Sequence, residues 1–103
     1  MRELVFTVNQ QKLEKDPTCD FSGIVKGTKG YLTARFKFDS SWDGYGKVAV
    51  FKKLLDEYPV IIKNNKCIIP EKALDFDSFS VSVMGQKSGG RLTTNALRVE
   101  QEG

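Results

Sequence analysis

The stretch Tyr31-Leu32-Thr33-Ala34-Arg35-Phe36-Lys37-Phe38 alternates apolar and polar side chains along its length. On an extended backbone, successive side chains point to opposite faces. Leu32, Ala34, Phe36 and Phe38 therefore share one face, and Thr33, Arg35 and Lys37 the other. This is the period of a half-buried β-strand, and it recurs. Phe79 to Val83 alternates again, Glu3 to Val8 is a short apolar strand and Lys47 to Lys52 a further strand, and no long stretch carries a helical period.

Weaker signals fill in the rest. Phe21 to Lys26 reads as a strand, followed by a Gly27-Thr28-Lys29-Gly30 turn in which glycine supplies positive φ. Asp39 to Gly46 is a polar, glycine-bearing connection with Trp42 embedded in it. Leu54 to Tyr58 is a helical turn or a loose hairpin connection. Tyr58 to Ile62 resumes β, and Pro59 places that strand at an edge or marks where it begins. Asn64-Asn65 is a turn signal before the short strand Cys67 to Ile69. Pro70 to Leu74 is one helical turn, since Pro is tolerated at a first helical position and Glu71 suits the dipole there. Lys87 to Gly90 is a hairpin turn, Arg91 to Val99 the last strand, and residues 101–103 a frayed end.

Seven or eight short strands at regular spacing predict an all-β antiparallel sandwich or a small barrel, and a sandwich suits 103 residues. The chain reads as a single domain over residues 1–103, with no internal repeat. The expected interior is Leu32, Phe36, Phe38, Trp42, Val48, Val50, Cys67, Ile69, Phe79, Val81 and Val83.

Composition removes whole classes of chemistry. The chain has no His, which excludes a Ser-His-Asp triad, a His-ligated metal and an imidazole switch. Its 2 Cys cannot build a four-thiolate zinc site. No run approaches the roughly 18 apolar residues of a membrane span. The segment MRELVFTVNQQ lacks the long apolar stretch of a signal peptide, so the expectation is synthesis in a reducing cytosol. Cys19 sits in a turn-like stretch and Cys67 in an apolar strand, which argues for two free thiols rather than a designed disulfide.

Sixteen basic against 13 acidic residues give a net charge of +3. The cations are spread out and mostly Lys, with Arg only at 2, 35, 91 and 98. A nucleic-acid surface needs clustered cations, so the reading is a solvated sheet face and no specific nucleic acid.

Each candidate site has a plainer reading. Asp39 and Asp43 flank Trp42, and Asp75 and Asp77 flank Phe76, but Asp in such loops commonly caps turns. The loop Asp39 to Gly44 supplies oxygen donors without the acid spacing or the distal Glu of a calcium loop. Gly85 to Gly90 has Gly, Lys and Ser in the wrong order for a phosphate loop and lies between two strands. No catalytic residue, cofactor or metal is expected. Trp42 reads as a core anchor rather than an exposed binding platform. Tyr31 and Tyr45 stand beside glycines and read as exposed aromatics. With Asp43, Lys87 and Arg91 they make up the candidate interaction tips.

Several segments form a recognisable order: Phe36 to Lys52 with Trp42-Asp43-Gly44 and Lys47-Val48-Ala49-Val50-Phe51, then Cys67 to Leu74, Phe79 to Gly85, and Arg91-Leu92-Thr93-Thr94-Asn95. Across residues 31–99 this order resembles a small domain of tail, baseplate and other virion-associated proteins of phages and prophages of Gram-positive bacteria. The resemblance implies an immunoglobulin-like β-sandwich used as a structural or adhesive module, and it transfers no active site. Family members are often segments of longer tail proteins, whereas this chain reads as standing alone.

The expectation is a non-enzymatic virion protein of the tail, baseplate or capsid surface, made in the host cytoplasm. It would dock on other virion proteins or on copies of itself on a symmetric particle. Two alternatives are a small intracellular binder of a host protein and a module that binds a surface glycan.

Overall fold

The computed structural model describes residues 1–103 and shows an all-β sandwich of two sheets. The first sheet has the order β2-β1-β3-β6, from β1 (Arg2–Asn9), β2 (Lys12–Lys15), β3 (Leu32–Phe38) and β6 (Lys66–Ile68). The second has the order β5-β4-β7-β8, from β4 (Gly46–Lys53), β5 (Asp56–Ile61), β7 (Ser78–Lys87) and β8 (Gly90–Thr93), and β9 (Leu97–Glu100) also pairs with β7. Short 3-10 turns stand at Ser40–Trp42 and Glu71–Leu74. No helix is long and apolar enough to cross a membrane.

Most pairings are antiparallel, but β1 and β3 run parallel over seven residue pairs, from Arg2↔Leu32 to Val8↔Phe38. The long excursion between them, residues 10–31, supplies the crossover that a parallel pair requires. That excursion holds two corrections to the sequence reading. Lys12–Lys15 forms the hairpin partner of β1, although only Leu13 of it is apolar and buried. Phe21 to Lys26 is not a strand; its only ladder contact is a bridge from Val25 to Glu102. Arg2 holds this segment in place by donating from its guanidinium to the carbonyls of Asp20, Ser22 and Gly23.

The final stretch is also divided. Val83 N–H donates to Thr94 Oγ1 at 2.9 Å, and Thr94 N–H donates to the Val83 carbonyl at 3.0 Å. This side chain takes the place of a strand partner and ends β8 before β9 begins. Residues 101–103 are not simply frayed. Gln101 is buried, with its amide donating to the Phe76 carbonyl at 2.8 Å, and Glu102 completes the bridge to Val25.

The core lies between the sheets. Twenty apolar side chains form one cluster that includes Leu32, Phe36, Trp42, Cys67, Ile69, Phe79, Val81 and Val83, with Phe38 half-buried against it. An aromatic ladder runs through the first sheet and out of it. Phe6 stacks on Phe36 at 5.4 Å, Phe36 on Phe38 at 5.9 Å, and Phe38 meets Trp42 at 5.3 Å. Trp42 is fully buried, with its indole N–H donating to the Gln10 carbonyl at 2.8 Å.

Val48 and Val50 are the principal correction to the expected core. They lie on the outer face of β4, while Ala49 and Phe51 point inward and are fully buried. Period two allows only one of the two sets inside. Phe51 decides the choice, because its ring packs against Phe79 at 6.2 Å and buries more apolar surface than either valine. The sequence Val48-Ala49-Val50-Phe51 is apolar on both faces, so the pattern alone cannot orient it.

The two thiols are free. Cys19 lies beside the outer edge of β1, where its sulfur accepts from Val5 N–H, and Cys67 lies on β6. Strands β1 and β3 separate them, which spans about 14 Å at the usual strand spacing and exceeds the reach of a disulfide.

Candidate interaction surface

Three connections converge at one end of the sandwich: the β1–β2 turn at Gln10-Gln11, the segment Asp39 to Tyr45, and the β7–β8 hairpin. Asp39 Oδ2 accepts from Gln10 N–H at 3.0 Å, and Gln11 Nε2 donates to the Thr93 carbonyl at 3.2 Å. Tyr45 continues the aromatic ladder, 6.1 Å from Trp42, and emerges half-buried at the surface. Lys87 Nζ lies 4.5 Å from the Tyr45 ring centroid, a cation–π contact. Of the expected tip residues, the fold therefore brings Tyr45 and Lys87 into contact, with Asp43 and Arg91 exposed at the same end. Tyr31 does not join them. It stands exposed at the start of β3, the length of the strand away. Trp42, being fully buried, offers no stacking face for a sugar ring.

Three of the four carboxylates singled out in the sequence are engaged in structure, Asp43 being the exception. Asp39 accepts from Gln10 N–H and from the Ser41 hydroxyl, Asp75 pairs with Lys53 at 2.7 Å, and Asp77 with Lys26 at 2.9 Å. The Asp75 contact raises the Lys53 pKa above its ordinary value, chiefly through the hydrogen bond. Burial pushes the Cys67 thiol up to about 12, which keeps it protonated and unreactive at neutral pH. No three His, Cys, Asp or Glu side chains converge.

The opposite end carries residues that the sequence reading left out of the site. Strands β4 and β5 are joined by a tight hairpin in which Lys53 pairs with Asp56 across Leu54-Leu55. Leu54 is 66% exposed and Leu55 92% exposed. Leu54 also has φ +55°, the left-handed region that a non-glycine residue rarely occupies. Two large apolar side chains thus stand in water on a turn that favours Gly or Asn. Phe76, 40% exposed, lines a shallow groove with Leu54 and Lys52. One signal was available in the sequence: a Leu-Leu pair bounded by Lys53 and Asp56 in a segment read as a connection. Connections normally hold polar residues, so the pair has no local reason to be there.

Comparison with protein-family models, with curated proteins and with solved structures gave no match in any of the three.

Proposed function

We propose that this chain is a non-enzymatic structural and interaction module of a phage particle, a component of the tail, the baseplate or the capsid surface that docks on another virion protein. The ordered residues between 31 and 99 support the particle assignment through the resemblance described above, including its immunoglobulin-like character. The observation that carries the docking mechanism is the Leu54–Leu55 hairpin. Its leucines stand largely outside the core, Leu55 almost wholly in water, and Leu54 occupies an unfavourable backbone region. An apolar pocket on a partner would remove both side chains from water, worth about 1.5–3 kcal/mol for each one fully buried. The hairpin pairing fixes their backbone before binding, so the ordering left to lose is chiefly that of the two side chains.

The test is co-sedimentation of the chain with purified particles. The wild-type chain is expected to sediment in stoichiometric amounts. Leu55→Asp is expected to abolish this while leaving the circular dichroism spectrum and melting temperature unchanged. Absence of the wild-type chain from particles would remove the particle assignment. Unchanged binding by Leu55→Asp would remove the hairpin from the docking site.

A further inference from the structure

We propose that the outer face of the second sheet is a dimer interface, on which a second copy of this chain packs about a two-fold axis parallel to the strands. The two outer faces of the sandwich differ in kind. The first sheet carries Glu3, Arg35 and Lys66 on its outer side, linked by ion pairs of 3.9 Å (Arg35 to Glu3) and 3.1 Å (Lys66 to Glu3). That is a charged, solvated face, with Ile68 of β6 its one large exposed apolar side chain. The second sheet turns Val48 and Val50 of β4, Pro59 and Ile61 of β5, and Met84 of β7 outward in adjoining register. Ile61 is 65% exposed. Near-continuous apolar runs such as Val48 to Phe51 belong to strands covered on both faces, and here only one face is covered.

The register specifies the occupant. Reading from β5 to β9 at the level of Lys52, the outward residues are Glu57, Lys52, Ser80 and Arg98. At the level of Val48 they are Ile61, Val48, Met84 and Thr93. A two-fold axis along the strands keeps each level and reverses the order of columns. It sets Glu57 against Arg98 of the second copy, twice, and Val48 against Met84 of the second copy, twice. Glu57 has no ion-pair partner within the chain, and Arg98 engages Glu100 through Nε alone, at 2.7 Å. An axis across the strands would instead set the charged level against the apolar one, burying Glu57 against Ile61 and Lys52 against Val48. Charge complementarity therefore selects both the partner and the axis.

The area is sufficient for a weak dimer. Four strand columns at about 4.8 Å spacing and an eight-residue strand at about 3.3 Å per residue give roughly 500 Å² per copy. The pair covers roughly 1,000 Å², the lower bound of a specific interface. The same axis leaves both Leu54–Leu55 hairpins pointing the same way. A dimer would then engage a symmetric particle with two tips at once; this consequence alone rests on the docking reading above.

The test is sedimentation velocity of the full chain in buffer, without particles, from micromolar to millimolar concentration. A monomer–dimer equilibrium is expected, and Val50→Lys is expected to abolish it. Glu57→Arg and Arg98→Glu alter exposed residues, which protects the test if Val50→Lys fails to fold. Each is expected to weaken the dimer about tenfold, and the double swap to recover to within about threefold of wild type. A monomer at millimolar concentration would overturn the proposal, as would a dimer indifferent to Val50→Lys or a double swap no better than either single change. A chain that dimerises but does not sediment with particles supports this proposal and removes the docking reading, and the converse result does the opposite.

Discussion

Gly85 leaves its side-chain space to Trp42. A Cβ at position 85 would lie 2.8 Å from Trp42 Cζ3 and 3.1 Å from both Trp42 Cε3 and Tyr45 Cδ2. The glycine serves room rather than backbone freedom, since its φ lies outside the positive region that L side chains avoid. Trp42 in turn is held by its indole hydrogen bond to Gln10 and by Phe38. The ring has little freedom to move away.

Gly85→Ala is therefore expected to destabilise the fold. Overpacking costs about 1–3 kcal/mol. The reduced entropy of the unfolded chain offsets about 0.4–1 kcal/mol of that. The net loss is expected at about 1–2 kcal/mol. Urea unfolding followed by fluorescence measures it directly, because the chain has a single Trp. A shifted native emission maximum should accompany the loss. Unchanged stability together with unchanged emission would show that the ring yields freely.

Asn95 joins the two sheets by acting as a substitute strand. Its Oδ1 accepts from Leu13 N–H at 2.7 Å, and its Nδ2 donates to the Leu13 carbonyl at 3.2 Å. One side-chain amide thus satisfies both backbone groups at the edge of β2. Asn95→Ala leaves a partly buried N–H without a partner, and the expected cost is about 1–3 kcal/mol. The local readout is amide hydrogen exchange. Leu13 should lose protection while the paired amides of β4 and β7 keep theirs. Equal loss throughout, or none at Leu13, would show that β2 does not depend on this contact.

The sequence disclosed the strands whose alternation is strict and whose two faces differ. Tyr31 to Phe38 and Phe79 to Val83 are of this kind, and Leu32, Phe36, Phe79, Val81 and Val83 all lie in the core. It failed where local pattern carries no information about partners. Lys12–Lys15 has a single buried residue and becomes a strand because β1 and Asn95 offer hydrogen bonds on its two sides. Phe21 to Lys26 has the composition of a strand, but the chain there crosses over to allow β1 and β3 to pair in parallel. Val48 and Val50 were misplaced because both faces of β4 are apolar, and only the ring of Phe51 decides between them. The exposed surface was the least legible part. Tyr45 and Lys87, 42 residues apart in sequence, meet where the β7–β8 hairpin reaches the connection after the first 3-10 turn, and Tyr31 lies at the other end of a strand.

Asp16 links β3 to the segment after β2, and its charge makes stability depend on pH. The carboxylate is almost fully buried. It accepts from the Thr18 hydroxyl and from Thr18 N–H at 2.9 Å, and Lys37 Nζ lies 3.0 Å away. The two hydrogen bonds from Thr18, assisted by Lys37, lower its pKa from 3.8 to about 2. Between these values the unfolded chain binds a proton that the folded chain does not, so stability rises with pH across that interval. The contribution is complete above pH 3.8 and disappears as pH falls through about 2. Asp20, lowered by its own hydrogen bonds from Ser22, acts in the same direction. Asp16→Asn is expected to be less stable than wild type at neutral pH, with the gap closing between pH 3.8 and about 2. Urea midpoints of both chains, measured at a series of pH values, test this. A gap that stays constant down to the acid limit would mean that Asp16 acts through its shape and hydrogen-bond acceptors, with no contribution from its charge.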